Sequence, residues 1–107
     1  PVYSISKLAL VGLTKSLALC HAGERIRVNC VCPGPVGETG IMNEDLDRAA
    51  DREATRQARI AASPGAMAFG RMIAPDEVAC SIEYLLGDAA VMVTGTAIAI
   101  DGGKSLG

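Results

Sequence analysis

Residues 3–20, "YSISKLALVGLTKSLALC", place apolar side chains on nearly every side of one helix. Ile5, Leu8, Ala9, Leu10, Val11, Leu13, Leu17, Ala18 and Leu19 cover most of its circumference. A helix bordering water shows one apolar stripe, whereas one that is apolar almost all round is buried on more than one side. One side of 3–20 can cover a sheet; the other needs a second helix or another subunit. Gly23 is placed to end the helix, with "HAGER" as the turn.

The rest of the chain supplies the sheet. Residues 26–32, "IRVNCVC", read as a strand that stops at Pro33-Gly34. A long polar stretch follows, and its middle, 43–62, is rich in Ala, Arg, Glu and Asp, which predicts one or two exposed helices closed by Ser63-Pro64-Gly65. A further helix is predicted over 75–86. Pro75 suits its first turn, Asp76 and Glu77 suit the positive end of its dipole, and Gly87 closes it. Its buried stripe is Val78, Ile82, Leu85 and Leu86. A last strand, 96–100, runs into Asp101-Gly102-Gly103, which reads as a tight exit at the sheet edge. Strand, crossover helix and strand are the parts of a right-handed parallel unit, so the fold class is α/β. Two strands do not make a stable sheet by themselves, so this strand pair, like the helix 3–20, calls for neighbours.

Composition narrows the function classes. With 107 residues the chain is at most one modest domain, and only Tyr3, Phe69 and Tyr84 are aromatic, so the core is built from Ala, Val, Leu and Ile. That suits packed helix-on-sheet layers better than an aromatic binding face. A net charge of −2 gives no reason to expect nucleic acid or an anionic membrane, and the apolar runs read as shorter than a membrane span. Cys20, Cys30, Cys32 and Cys80 match no zinc or redox spacing, and no metal site is expected. Cys30 and Cys32, two apart in a strand, share one face as small hydrophobes, and a reduced, cytoplasmic setting is the default. No signal peptide is visible, and the chain opens on Pro1 rather than Met.

Three features can carry chemistry. Tyr3 and Lys7 stand at i and i+4, on one helix face. An ammonium beside a phenol favours phenolate, the form of a general base, and the pair suits proton transfer near neutral pH. The same two residues also fit an ordinary helix start. "CPGPVGET" takes the chain off the end of a strand, where open parallel sheets bind ligands. Gly34 there allows a ligand close to the backbone, and Val36 can offer N–H and C=O to a planar amide; a plain strand-to-loop exit fits as well. Met42, Met67, Phe69 and Met72 flank the long segment, as an apolar lid or as local packing. His21, the single histidine, sits at a helix end where a cation favours the dipole.

In order and separation, these segments resemble the classical short-chain dehydrogenase/reductase family. "YSISKLALVGLTKSLA" resembles its active-site helix, "RIRVNCVCPGPV" its sixth strand and the cofactor loop after it, and "GRMIAPDEVACSIEYLLGDAAVMVTGTAIAIDGG" its last helix and seventh strand. The resemblance implies the C-terminal part of a Rossmann-type doubly wound parallel sheet, with 1–107 as a partial NAD(P)-binding domain. It implies Tyr3 as catalytic acid/base and Lys7 as its partner and a ligand of the nicotinamide ribose. Pro33, Gly34 and Val36 would wall the nicotinamide, NAD or NADP, with Val36 backbone groups on the carboxamide. The family's P-G-x-V-x-T puts a threonine at 38, where this chain has Glu38; Thr39, one position on, is the candidate. Extended epimerases and divergent enoyl reductases fit less well, the first by the "TGTAIAIDGG" ending and the second by the Tyr–Lys spacing.

The family's glycine-rich phosphate loop, its catalytic serine and its supporting asparagine lie upstream of the tyrosine. The resemblance therefore implies a piece of a longer enzyme that interconverts a small-molecule alcohol and a ketone or aldehyde. The 107 residues alone are expected to be inactive, because the cofactor phosphates have no cradle. The family also implies a homodimer or homotetramer, through helix 3–20 and through 75–100. A non-catalytic assembly piece or inactive remnant is the alternative.

Overall fold

The structure, a computed structural model, describes residues 1–37, 52–62 and 69–106. Helix α1 spans Val2–His21, strand β1 Cys30–Pro33, helix α2 Arg52–Ala62, helix α3 Pro75–Leu86 and strand β2 Ala97–Ile100. β1 pairs with β2. Cys30 N–H donates to the Thr96 carbonyl at 3.0 Å and Gly34 N–H to the Ile100 carbonyl at 2.9 Å. The constant offset between partners makes the pair parallel, as the α/β reading requires.

The described residues group into two compact units: 1–32 with 81–98, and 33–37, 52–62 and 69–80 with 99–106. In the first, α1 buries only its small residues. Thr14 and Ala18 are buried, and the Thr14 hydroxyl, enclosed by the fold, donates to the Leu10 carbonyl at 2.9 Å. A Cβ built on Gly95, which sits at φ +70, would lie 3.4 Å from Ala18 Cβ, so glycine serves both the turn and the close packing there. Leu85 and Ala90 complete the buried set of this unit. Val2, Ile5, Leu8 and Leu19 are each more than three-fifths exposed. The all-round apolar character of α1 is thus unmet among the described residues, as expected of a helix that wants a second neighbour.

Polar side chains stitch the approach to β1 onto the turn before β2. Arg27 Nη1 donates to the carbonyls of Leu85 at 2.7 Å and Val93 at 3.3 Å. Leu85 lies in the last turn of α3, whose carbonyls have no helical partner and carry the negative end of the dipole. Asn29 Nδ2 donates to the Val93 carbonyl at 2.8 Å, and Asn29 Oδ1 accepts from Thr96 N–H at 3.1 Å. Val28 N–H donates to Thr94 Oγ1 at 3.1 Å, and its carbonyl accepts from Gly95 N–H at 2.7 Å.

Several expectations need correction. The predicted strand over 26–32 is a regular strand only from Cys30, because side-chain bonds of Arg27, Asn29 and Thr94 interrupt the ladder there and leave one backbone bond, Gly95 N–H to the Val28 carbonyl. α1 does not end at Gly23; a 3₁₀ turn, Ala22–Glu24, follows, and Arg25 takes the left-handed position at φ 58. In α3, Val78 is half-buried and Leu85 buried, but Ile82 and Leu86 are exposed and face an open cleft beside 27–31. The apolar runs are not all short of a span. Val2–Glu24, 23 residues, is long and apolar enough to cross a membrane by length and composition alone. Lys7 and Lys15 inside it would each cost roughly 2.5–3.5 kcal/mol at the centre of a bilayer, which favours a protein neighbour over lipid.

α2 is the exposed helix expected within 43–62, with Gln57 Nε2 donating to Glu53 Oε1 at 2.9 Å. Residues 43–51 and the Ser63-Pro64-Gly65 breaker lie outside the described residues.

Candidate functional site

Tyr3 and Lys7 come together on the first turns of α1. Lys7 Nζ lies 5.5 Å from the centroid of the Tyr3 ring, within cation–π range. The pairing is a direct product of helix geometry, since i and i+4 side chains share a face. Ser6 does not reach the phenol; its hydroxyl donates to the Tyr3 carbonyl at 2.7 Å. Tyr3 is 73% exposed.

Pro33, Gly34 and Val36 lie in the second unit, on the chain that leaves β1. Gly34 extends the β1–β2 ladder by one bond, to Ile100. A Cβ at Gly34 would sit 3.0 Å from Asp101 Cβ and 3.1 Å from Asp101 Cα, with Ile73 Cδ1 at 3.5 Å. The close approach that glycine permits here is therefore that of Asp101. Asp101 in turn ties its own turn: its carboxylate accepts from Gly103 N–H at 2.9 Å and Ser105 N–H at 3.0 Å. Hydrogen bonds from Ser105, side chain foremost, and from Gly103 hold its carboxyl below the usual range. Asp101 is the tight exit the sequence suggested.

Val36 forms a one-residue parallel bridge with Ile73. The Pro35 carbonyl accepts from Ile73 N–H at 3.3 Å, and Gly37 N–H donates to the Ile73 carbonyl at 2.9 Å. In a parallel bridge of this kind Ile73 spends both of its backbone groups on residues 35 and 37. Val36 directs its own N–H and C=O to the opposite edge. A donor and an acceptor one residue wide match the groups of a primary carboxamide. Met72 packs on the same bridge, with its Cβ 3.4 Å from where a Gly37 Cβ would stand.

Ile73 is held by an element that sequence reading missed. Arg71 forms a two-pronged ion pair with Glu77, Nη1 to Oε2 at 2.9 Å and Nη2 to Oε1 at 2.5 Å, and Nη1 also donates to the Met72 carbonyl at 3.1 Å. Glu77 Oε2 accepts from Ala74 N–H at 2.8 Å. That is the acidic half of a capping box, with Glu77 at the third helical position reaching back to the residue before Pro75. The signal was present as an acid three residues after the cap, but Ala74 stands where the motif has Ser or Thr.

The Arg71 guanidinium, followed by the Ala74 N–H, holds the Glu77 carboxyl at about 2, against an ordinary 4.5. A depressed folded value stabilises the fold above the unfolded value and loses that contribution as pH falls through the folded one. The clamp is thus complete at neutral pH and is lost between about pH 4.5 and 2. Melting temperatures of the wild type and Glu77→Gln, compared from pH 7 to pH 2, are expected to differ by a constant amount above pH 5 and to converge toward pH 2. A gap that persists at pH 2 would contradict the assignment.

Thr39, Met42 and Met67 lie outside the described residues. Phe69 is exposed and Met72 half-buried. His21 Nδ1 lies 3.1 Å from Glu24 Oε1, a local pair at the helix end. The four cysteines are free thiols, and Cys30 and Cys32 are both half-buried. Burial, then the neighbouring Cys30, pushes the Cys32 thiol up. Among the described residues no group of three or more His, Cys, Asp or Glu is placed to hold a metal.

A family model described as enoyl-(acyl carrier protein) reductase matches residues 1–105. A dehydrogenase/reductase SDR family member 6 from Aquarana catesbeiana is 43% identical over 105 residues, 98% of this chain and 41% of that protein. A short chain dehydrogenase family protein from Francisella tularensis superposes with a TM-score of 0.85 at 34% identity, over 98% of this chain and 43% of its own. An actinorhodin polyketide ketoreductase variant with NADPH superposes with a TM-score of 0.80 at 37% identity, over 94% and 39%. The chain thus spans about two fifths of the length of the proteins it matches. Its helices and parallel strand pair are those of a partial Rossmann-type α/β fold, the fold of these dehydrogenases. With the family model matching 1–105 and these relatives covering nearly all of the chain, it belongs to the short-chain dehydrogenase/reductase family.

Proposed function

We propose that residues 1–107 are the acid/base-bearing part of an NAD(P)-dependent oxidoreductase domain that interconverts an alcohol and a ketone or aldehyde. The observation that carries this reading is the Lys7 ammonium over the Tyr3 ring, on an exposed helix start, in a chain of this family. Because the chain covers two fifths of its relatives, the activity is assigned to a protein that also supplies a phosphate-binding loop and a substrate-positioning hydroxyl. NADPH in the ketoreductase and NADH in a 4-hydroxyisoleucine dehydrogenase of similar fold support a nicotinamide cofactor.

The nicotinamide supplies or accepts the hydride. Tyr3 Oη–H gives its proton to the carbonyl oxygen as the carbonyl carbon takes the hydride; in the oxidising direction the phenolate takes the hydroxyl proton back. Lys7 keeps positive charge beside the phenol in both directions. Val36 N–H and C=O hold the carboxamide, Pro33 and Gly34 form the wall beneath it, and Thr39 is the further candidate contact. Four free thiols suit a reduced, cytoplasmic setting.

The family model's description names an enoyl reductase, whereas the relatives bear dehydrogenase and ketoreductase names. Deuteride transfer separates the two. The full protein containing these residues is incubated with cofactor deuterated at C4, with ketones and with enoyl thioesters. Deuterium on a carbinol carbon is the expected result; deuterium only on the β-carbon of a saturated thioester would overturn the alcohol–carbonyl assignment.

A second reading is favoured by the exposed apolar face of α1, with Leu8 73% and Leu19 82% exposed. α1 and the 75–100 segment serve as subunit interfaces of a homodimer or homotetramer, an assembly role that holds with or without catalysis.

A further inference from the structure

We infer that Arg71 and Glu77 are positioning residues for the cofactor carboxamide: their ion pair fixes the backbone bridge that aims Val36 at it. The inference rests on the reading that Val36 binds the carboxamide. It concerns residues that neither touch the cofactor nor carry the chemistry.

The route is short and covalently continuous. The orientation of the Val36 amide plane depends on its bridge to Ile73, which consists of two hydrogen bonds, one of them long at 3.3 Å. An isolated bridge lacks the neighbouring rungs that hold a residue within a sheet, so something outside the ladder must fix the partner. Ile73 is flanked by two anchors. On one side the Arg71 guanidinium grips both Glu77 carboxylate oxygens and the Met72 carbonyl. On the other, the same carboxylate takes Ala74 N–H at the start of α3. The carboxylate thus closes a loop around residues 71–77 with Ile73 near its middle, and α3 is the rigid body it is tied to. Planar two-pronged geometry fixes orientation as well as distance, which a lysine in place of Arg71 cannot do.

A loosened clamp lets the Pro35–Gly37 segment rotate. A rotated Val36 loses the carboxamide bonds and leaves the rest of cofactor binding intact. The signature is therefore a loss of discrimination between cofactors that differ only at the carboxamide. A variant that merely weakens the fold would penalise both cofactors alike.

The test uses the full protein containing these residues, titrated calorimetrically with the natural cofactor and with its 3-acetylpyridine analogue, which lacks the carboxamide NH₂. Wild type is expected to bind the natural cofactor about tenfold more tightly, the worth of one or two hydrogen bonds. Glu77→Ala and Arg71→Ala are each expected to weaken the natural cofactor, which loses both Val36 bonds, about tenfold, and the analogue, which loses only the bond to its acetyl oxygen, about threefold, so that the preference shrinks. Glu77→Gln, which keeps an acceptor for Ala74 N–H, is expected to fall between. Two mutations from opposite ends of one ion pair keep the test valid if one variant folds poorly. Equal affinities in wild type would sink the Val36 reading itself. A tenfold preference that survives in both variants, or an equal loss for both cofactors, would overturn the positioning role.

Discussion

Tyr3→Phe is expected to lower kcat of the full protein by about 10²–10⁴-fold, the usual worth of a positioned general acid or base. The substitution removes one oxygen. Among the described residues no hydrogen bond uses the Tyr3 hydroxyl, so the melting temperature should stay within about 1 °C. Cofactor affinity should change far less than turnover. Lys7→Met, which removes the ammonium 5.5 Å from the ring, should lower kcat in the same direction. Turnover within threefold of wild type in Tyr3→Phe would remove Tyr3 from the mechanism.

The largest effect on stability is expected at Arg27. Arg27→Met keeps the apolar stem and deletes the guanidinium that serves the Leu85 and Val93 carbonyls. Hydrogen bonds from a charged donor contribute about 1.5–3 kcal/mol each, and a part-buried carbonyl left without its donor adds a desolvation cost. Asn29 still serves Val93 at 2.8 Å, so the loss concentrates on Leu85. The net expectation is about 2–3 kcal/mol in urea unfolding of the full protein, with an unchanged m-value. Arg27→Lys should recover less than half, because a single ammonium on a flexible stem reproduces neither the reach nor the fork. A loss below 0.5 kcal/mol would mean that water replaces the guanidinium freely.

Elements with local determinants were legible in the sequence. Pro75, the two acids after it and Gly87 specify α3 without help from the rest of the chain, and its bounds, Pro75–Leu86, are those predicted. Tyr3 and Lys7 meet for an equally local reason, the helical repeat. What escaped depends on partners far along the chain. The beginning of β1 shifted because 27–29 satisfy their backbone and side chains on 85–96. Gly34 was legible as a place of close approach, but Asp101 as the approaching group is 67 residues away. The bridge from Val36 to Ile73 has no periodic signal at all, since a single rung leaves none. Arg25 in the left-handed position ran against the preference for the nearby glycine, and Gly23 sits in open space with nothing to clash against.

The stitching of 27–29 onto 85–96 also sets a clock on biosynthesis. Arg27 and Asn29 find their partners 58 to 67 residues later. At about 5–20 residues per second, the ribosome takes roughly 3–13 s to supply them. Through that interval Arg27 and Asn29 lack these partners, and Ala18 of α1 cannot yet close on Gly95. Slow codons between 30 and 85 would lengthen the wait.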